Sequence, residues 1–277
     1  PVLRQAGDAA VVEQAGGERL AVSTDCHVVW PLFFPGGDIG RLAVCGTVND
    51  VAMMGAEPRY LTAGFILEEG LAMNTLARVA ASMRAAAAEA GVTIIAGDTK
   101  VVQRGKGDGL YITTAGVGRL RPGLSIGPGN ARPGDAILLS GPIGDHGIAV
   151  LSARGELGLE VDVASDVAPL NGLVSALLDA CGDQVRALRD PTRGGVASAL
   201  NEIAQASQVG IVLRETAIPV RPAVLAACEL LGFDPLYVAN EGKLLAIVAD
   251  EAADKALDAL RATRYGEEAV RVGRVAE

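Results

Sequence analysis

Apolar positions follow two periodicities along the chain: short β-branched runs alternate with longer Ala-rich stretches of helical spacing. This alternation predicts an α/β or α+β protein. Strands are predicted at residues 20–24, 59–67, 92–96, 110–117, 136–139, 211–213, 244–248 and 269–272. Helices are predicted at residues 39–54, 71–90, 148–153, 169–180, 196–206, 222–231 and 251–262.

Local signals mark the ends of these elements. Asp38 is placed to cap the first helix, and Gly91 is placed to end the second. Composition changes in "RPGLSIGPGNARPGD", where Pro and Gly recur throughout. We therefore predict an N-terminal domain at 1–120, a linker at 121–133 and a C-terminal α+β domain at 134–277.

Composition and charge narrow the class of protein. The 277 residues are 50% hydrophobic but only 3% aromatic, and their net charge is −9. That charge argues against nucleic acid or an anionic membrane as the main partner. The four cysteines are scattered, which predicts reduced core thiols in a cytoplasmic protein. The longest apolar runs fall short of the roughly 20 residues of a membrane-spanning helix.

Four acidic residues of the first half stand at strand ends or on a helix face beside Gly, Thr or Asn. They are Asp8, Asp25, Asp50 and Asp98. Each alone is explained by a helix cap or a turn. As a set, they resemble the hard oxygen ligands that hold Mg²⁺ and a polyphosphate.

Asp50 lies with Asn49 inside the apolar helical segment "VCGTVNDVAMM". Helix interiors disfavour Asp and Asn because their short side chains compete for the backbone. The pair either forms a solvated edge of the helix or faces a ligand.

Lysine is scarce, with only Lys100, Lys106, Lys243 and Lys255 among the 24 basic residues. Lys100 lies in "GDTKVVQRGKGDG", where a strand passes into a Gly-rich loop. A lysine there is either solvated or placed to neutralise a phosphoryl oxygen.

Two Gly-rich turns, "FFPGGDIG" and "DPTRGGVASAL", precede helices and could receive an anion, and Arg193 adds a forked donor to the second. Neither turn is a Walker A motif. His146, in "GPIGDHGIAV", is either a buried structural group or a catalytic one. Glu241 and Lys243, in "YVANEGKLLAIV", lie in a turn before a strand, where a simple surface ion pair is the alternative.

Together these motifs resemble one family. The runs "STDCHVVWPLFFPGGDIGRLAVCGTVNDVAMMGAEPRYLTAGFILEEG", "GDTKVV", "SGPIGDHGIAV", "LRDPTRGG" and "ANEGKL" resemble the HypE hydrogenase maturation proteins. HypE proteins share a superfamily with aminoimidazole ribonucleotide synthetase, thiamine-monophosphate kinase and selenophosphate synthetase. The likeness extends over practically the whole chain in the same order.

The resemblance implies an α/β domain that dimerises through its sheet and an α+β domain that closes over ATP. It implies ATP-dependent dehydration of a carboxamide carried on a C-terminal Cys, giving a thiocyanate whose cyanide becomes an iron ligand of nickel-iron hydrogenase. The implied partners are HypF, which transfers the carbamoyl group, and the HypC–HypD complex, which accepts the cyanide.

The resemblance also implies roles for individual residues. Asp8, Asp25, Asp50 and Asp98 are expected to hold Mg²⁺ and the phosphates, with Asn49 and Thr99 supporting them. Arg193, from its place in the second Gly-rich turn, is a further candidate for binding the nucleotide. Lys100 and Glu241 are expected to polarise and deprotonate the carboxamide, with His146 as a third candidate.

Family members are expected to begin with a Gly-rich segment and to end in a Cys-containing tail. This chain reads "PVLRQAGDAA" at one end and "EEAVRVGRVAE" at the other, and we expect that terminal segments were omitted. Two alternatives stay open. One is another ATP-dependent synthetase or kinase of the superfamily, and the other is a non-catalytic maturation scaffold.

Overall fold

Two five-stranded sheets organise the chain. The computed structural model describes residues 7–155, 158 and 161–277. Its strands are β1 (Ala10–Glu13), β2 (Arg19–His27), β3 (Phe33–Phe34), β4 (Gly37–Asp38), β5 (Ala56–Glu68), β6 (Thr93–Val102), β7 (Leu110–Leu120), β8 (Ala136–Leu139), β9 (Val185–Arg189), β10 (Gly210–Leu213), β11 (Leu245–Val248) and β12 (Val270–Ala276). Its α-helices are α1 (Ile39–Met53), α2 (Met73–Ala90), α3 (Asp145–Ala153), α4 (Asn171–Cys181), α5 (Gly195–Ser207), α6 (Pro222–Leu231) and α7 (Ala253–Arg261).

The first sheet has the strand order β1-β2-β7-β5-β6 and is antiparallel except for the parallel pair β5–β6. Helix α1 packs on β2, β5 and β7, and α2 packs beside α1. We call this covered side the inner face. The opposite, outer face is exposed, and a cross-strand row of Val22, Val117 and Tyr60 lies on it.

Helix α1 begins at Ile39 because the Asp38 carboxylate accepts hydrogen bonds from the backbone N–H groups of Gly40 and Arg41. The predicted cap is therefore confirmed. Because the carboxylate of Asp38 already fills this helix start, the turn "FFPGGDIG" is not free to receive an anion. A Cβ on Gly40 would lie 2.6 Å from the carbonyl oxygen of Val79, so a glycine there lets α1 and α2 approach closely.

The second sheet is antiparallel throughout, with the order β10-β12-β8-β11-β9. Successive residues of β8 point to opposite sides. Leu138 packs with the apolar side chains of α4 and α7, whereas Ile137 packs with those of α5. The second sheet is thus buried on both faces between helices, which explains why its central strands are apolar runs rather than alternating ones.

Asn49 joins the two halves of the chain. Its Nδ2 donates to the carbonyl oxygen of Ala168 at 3.1 Å, and its Oδ1 accepts from the N–H of Leu170 at 2.8 Å. The residue is 1% exposed. Asn49 was predicted to contact the nucleotide; here both ends of its amide bind the backbone of the second domain, and the contact with the nucleotide stays a prediction.

Several other expectations need correction. Strands β1 and β9 were not predicted, and α3 begins at Asp145, three residues before the predicted start. Cys45, Cys181 and Cys228 are buried free thiols, but Cys26 is exposed on the outer face of the first sheet. None of the described helices is both long enough and apolar enough to cross a bilayer.

Candidate active site

Three carboxylates meet where the two domains contact each other. Asp8 precedes β1, Asp50 lies near the end of α1, and Asp190 directly follows β9. Their nearest oxygen atoms all lie within 4.8 Å of one another. Two of the three, Asp8 and Asp50, are predicted ligands. A set of oxygen ligands at this spacing suits a hard divalent cation such as Mg²⁺.

Polar neighbours orient this carboxylate cluster. Ser23 Oγ, on the inner face of β2, donates to Asp50 Oδ2 at 2.6 Å. Arg189 Nη1 lies 2.6 Å from Asp8 Oδ1, and Arg189 also binds the carboxylate of Glu202 on α5. The guanidinium of Arg189 thus links the side chain of Asp8 to the second domain. Among the described residues, neither Asp50 nor Asp190 has an ion pair of this kind.

The pKa values of these three groups are raised first by burial and then by the charges of neighbouring carboxylates. Burial, reinforced by the charge of Asp190, raises the pKa of Asp50 to about 8. Burial likewise raises the pKa of Asp190 to about 6, although Arg189 opposes the shift. Burial and the charge of Asp190 also raise the pKa of Asp8 well above its ordinary value. A bound cation would relieve the repulsion and favour the ionised form of all three.

Glu241 and Asp25 lie beside this cluster. Burial raises the pKa of Glu241 well above its ordinary value, and the charges of Asp190, Asp166, Asp25 and Asp50 add to the shift. Asp25 is on the inner face of β2, with its Oδ1 accepting from the N–H of Cys26 at 2.7 Å. The predicted residues Glu241 and Asp25 are thus brought near Asp50, although neither belongs to the group of three.

Asp98, Thr99 and Lys100 lie on β6, at the far edge of the first sheet. In the strand register, Asp98 on β6 pairs with Gly64 on β5, Gly64 pairs with Thr113 on β7, and Thr113 pairs with Cys26 on β2. Three strand spacings, about 14 Å, therefore separate Asp98 from the strand that carries Asp25.

Asp98 and Lys100 are on the outer face and bind each other at 3.1 Å, with both side chains more than 70% exposed. The prediction that Asp98 joins Asp8 and Asp50 around one ion is wrong within a single chain. Thr99, which donates its N–H to Asp98 Oδ1, does not reach that group either.

His146 and Arg193 have different surroundings. His146 is buried, its Nδ1 lies 2.8 Å from Ser165 Oγ, and its ring makes an edge contact with Phe34. Burial lowers the pKa of His146. This environment indicates a packing role. Arg193 is exposed at the start of α5, three residues after Asp190, where it is open to an anion.

Asp190 is the residue that sequence reasoning missed. The turn "DPTRGG" was noticed for its glycines and for Arg193, while acidic residues were compared only within the first half of the chain. Gly195 in this turn is explained by packing, because a Cβ at this position would overlap the carbonyl oxygen of Leu236. An Asp between an Arg and a Pro, at the beginning of the Gly-rich turn, was the available signal.

Comparison with known proteins identifies the family. The family model of the AIR synthase related protein N-terminal domain matches residues 6–120, and that of the C-terminal domain matches residues 132–277. The carbamoyl dehydratase HypE of Azotobacter vinelandii is 59% identical over 273 residues, which are 99% of this chain and 80% of that protein. The chain belongs to the HypE family.

Solved HypE structures have the same two-domain AIR synthase-like fold. A HypE–HypF complex matches with a TM-score of 0.94 at 50% identity, covering 99% of this chain and 88% of that chain. HypE in complex with ATP matches with a TM-score of 0.90 at 54% identity, covering 100% of this chain and 82% of that chain. The predicted fold class and the family resemblance are thereby confirmed.

Asp50 should make stability depend on pH in cation-free buffer. Because the folded protein holds its carboxyl neutral up to about pH 8, the folded state binds more protons than the unfolded state above pH 4 or so. The free energy of unfolding should therefore fall as pH rises across that window, by up to about 1.4 kcal/mol per pH unit.

Urea unfolding with EDTA at several pH values measures this slope. Asp50→Asn should flatten it and stabilise the protein at neutral pH, whereas the exposed control Asp258→Asn should keep the wild-type slope. Equal slopes for the wild type and Asp50→Asn would contradict the assignment.

Proposed function

We propose that this protein is an ATP-dependent carbamoyl dehydratase. It converts the carboxamide on the sulfur of a C-terminal Cys into a thiocyanate, which supplies the cyanide ligand of nickel-iron hydrogenase. The observation that carries the proposal is the meeting of Asp8, Asp50 and Asp190 beside Glu241. The HypE relatives named carbamoyl dehydratase and the HypE structure with ATP support it.

Mg²⁺ and the phosphates of ATP would occupy the carboxylate cluster. Asp8, Asp50 and Asp190 offer one oxygen each at a spacing that fits one hard cation, and Asp25 adds negative charge beside Asp50. When bound, the cation offsets phosphate charge and draws electrons from the transferred phosphoryl group. Arg193 is placed at the adjacent helix start to contact a phosphate oxygen.

The chemistry requires one phosphoryl transfer and the loss of two N–H protons. The carboxamide oxygen attacks the γ-phosphorus and ADP leaves, which turns a poor leaving group into a phosphate ester. Removal of one N–H proton gives the neutral imidate, and removal of the second, with cleavage of the C–O bond, gives the nitrile and inorganic phosphate. Glu241 is suited to accept a proton because its pKa is raised well above its ordinary value.

Lys100 can take part only through a second copy of the chain. Lys100 pairs with Ile66 on β5, and Ile66 pairs with Tyr111 on β7; all three side chains lie on the outer face. Lys100 lies about 14 Å across the sheet and about 17 Å along it from Ser23, which binds Asp50. We therefore propose a homodimer that packs through the outer face and brings Lys100 and Asp98 of one subunit to the site of the other. The exposed Val22, Tyr60 and Ile66 support this interface.

The partners and organisation follow the family. We propose that the protein binds HypF, as the HypE of the solved complex does, and passes cyanide to HypC–HypD in the cytoplasm. Neither nucleic acid nor a membrane is a proposed partner. We keep the division into domains at 1–120 and 134–277, joined by 121–133.

Mass spectrometry tests the activity directly. The complete protein, incubated with HypF, a carbamoyl donor and ATP, should show a Cys-containing terminal peptide that has first gained a carboxamide and then lost water. The second change should require ATP, because the carboxamide oxygen must first be phosphorylated. A carboxamide that persists with ATP present would reject dehydration, and turnover of a free small molecule instead would indicate another enzyme of the superfamily.

Mixed dimers test the shared site. Lys100→Ala and Glu241→Gln should each abolish dehydration in a homodimer, because every site then lacks one of the two groups. Co-expression of the two variants should restore part of the activity, because each heterodimer of the two variants contains one complete site. Mixtures that stay as inactive as the separate variants would show that Lys100 and Glu241 do not act across the interface.

A further inference from the structure

One segment, residues 163–170, connects the two domains through a row of hydrogen bonds; we call it the bridging segment. The N–H of Ser165 donates to the carbonyl oxygen of Pro35 at 2.8 Å. Arg41 Nε donates to the carbonyl oxygen of Val167 at 2.9 Å. With the two hydrogen bonds of Asn49, these contacts attach the segment to the N-terminal end of α1 and to the residue beside Asp50.

The other side of the bridging segment holds the Glu241 loop. Asp166 Oδ1 accepts from the N–H of Glu241 at 3.0 Å, and the N–H of Ala168 donates to the carbonyl oxygen of Glu241 at 3.3 Å. A Cβ on Gly242 would overlap the carbonyl oxygen of Asp166, so the two backbones are in contact. The main chain of Glu241 is therefore held on both sides by one segment.

Asp166 makes a buried ion pair as well. Its Oδ2 lies 3.3 Å from Lys243 Nζ, and the two side chains are 3% and 11% exposed. Taking two charges out of water costs free energy that the pair does not fully repay, so a buried ion pair is poor evidence of a stabilising role. The pair flanks Glu241, because Asp166 binds the N–H of Glu241 and Lys243 lies two residues after it. This placement indicates that the pair orients Glu241.

We propose that Asp166 is a positioning residue that fixes Glu241 for proton removal, with Lys243 holding Asp166 in place. The inference rests on the proposed function, which gives Glu241 its catalytic role. Asp166 does not touch the carboxylate cluster through any described hydrogen bond or ion pair. It therefore acts on the reaction through Glu241 and not through the nucleotide.

The first test separates catalysis from ATP binding. Asp166→Asn keeps an acceptor for the N–H of Glu241 but removes the charge that faces Lys243. In the complete protein with HypF and a carbamoyl donor, the single-turnover rate of dehydration should fall about 10- to 100-fold, because small displacements of a reacting group cost this much. The Kd of ATP should stay within about twofold of the wild type. An unchanged rate would overturn the inference.

A double-mutant cycle tests whether Asp166 acts through Glu241. Glu241→Asp keeps a carboxylate but shortens its side chain, so its position is already altered. Adding Asp166→Asn to this variant should lower the rate by less than it does in the wild type. Losses that multiply fully would show that Asp166 acts independently of Glu241, and would overturn the proposal.

Asp135→Asn is the matched control. Asp135 is also buried in the second domain, where it accepts from the N–H of Arg132 and lies 4.0 Å from Arg186. Asp135→Asn keeps an acceptor for the N–H of Arg132 and should leave the dehydration rate of the folded protein unchanged. If Asp135→Asn lowered the rate as much as Asp166→Asn does, the loss in Asp166→Asn would be explained by general destabilisation, and the proposal would fail.

Lys243→Gln removes the other charge of the ion pair. If Asp166→Asn does not fold, Lys243→Gln replaces it in the double-mutant cycle. It should show the same loss of rate and the same non-additivity with Glu241→Asp. The proposed function fails separately, since in that case the wild-type protein itself does not dehydrate the carboxamide.

Discussion

The burial of three carboxyl groups, Asp8, Asp50 and Asp190, within 4.8 Å of one another is the constraint on which the rest of the site depends. Without a cation, burial and the charge of Asp190 keep Asp50 neutral up to about pH 8. If all three were ionised, negative charges about 5 Å apart would repel each other by roughly 3 kcal/mol a pair at the effective dielectric constant of a protein surface. No single element brings them together, since one precedes β1, one is on α1 and one follows β9. The docking of the two domains is therefore what buries the three groups together, and a cation that stabilises their ionised forms favours the same docked arrangement.

The contacts between the domains surround these three carboxyl groups. Arg189 joins Asp8 to the second domain, and Asn49, next to Asp50, binds the backbone of the bridging segment at Ala168 and at Leu170. The bridging segment in turn holds Glu241. One continuous set of hydrogen bonds thus connects the helix that carries Asp50 with the loop that carries the proposed base. Such a connection keeps the phosphate and proton-transfer parts of the site in a fixed relation, as a reaction that needs both requires.

Much of the fold could be predicted from the sequence because its main elements have clear periodicity and caps, as α1 shows with Asp38. Strand β9 was missed because its five residues include two arginines and give a weak apolar signal. Within the site, Asp8 and Asp50 were predicted, but sequence cannot tell which face of a strand a distant carboxylate occupies. Asp98 was therefore grouped with them although it lies on the outer face, and Asp190 was omitted because it is brought to them only by the packing of the domains.

The most direct test of the cation site is isothermal titration of the protein with ATP, in Mg²⁺ and in EDTA. The wild type should bind ATP tightly only with Mg²⁺, and Asp190→Asn should lose most of this Mg²⁺-dependent gain because one of three ligands becomes neutral. Arg214→Gln, a change at an exposed residue that follows β10, at the opposite edge of the second sheet from β9, serves as the control and should bind as the wild type does. Equal ATP affinity in Mg²⁺ and EDTA, or full Mg²⁺-dependent binding by Asp190→Asn, would contradict the account.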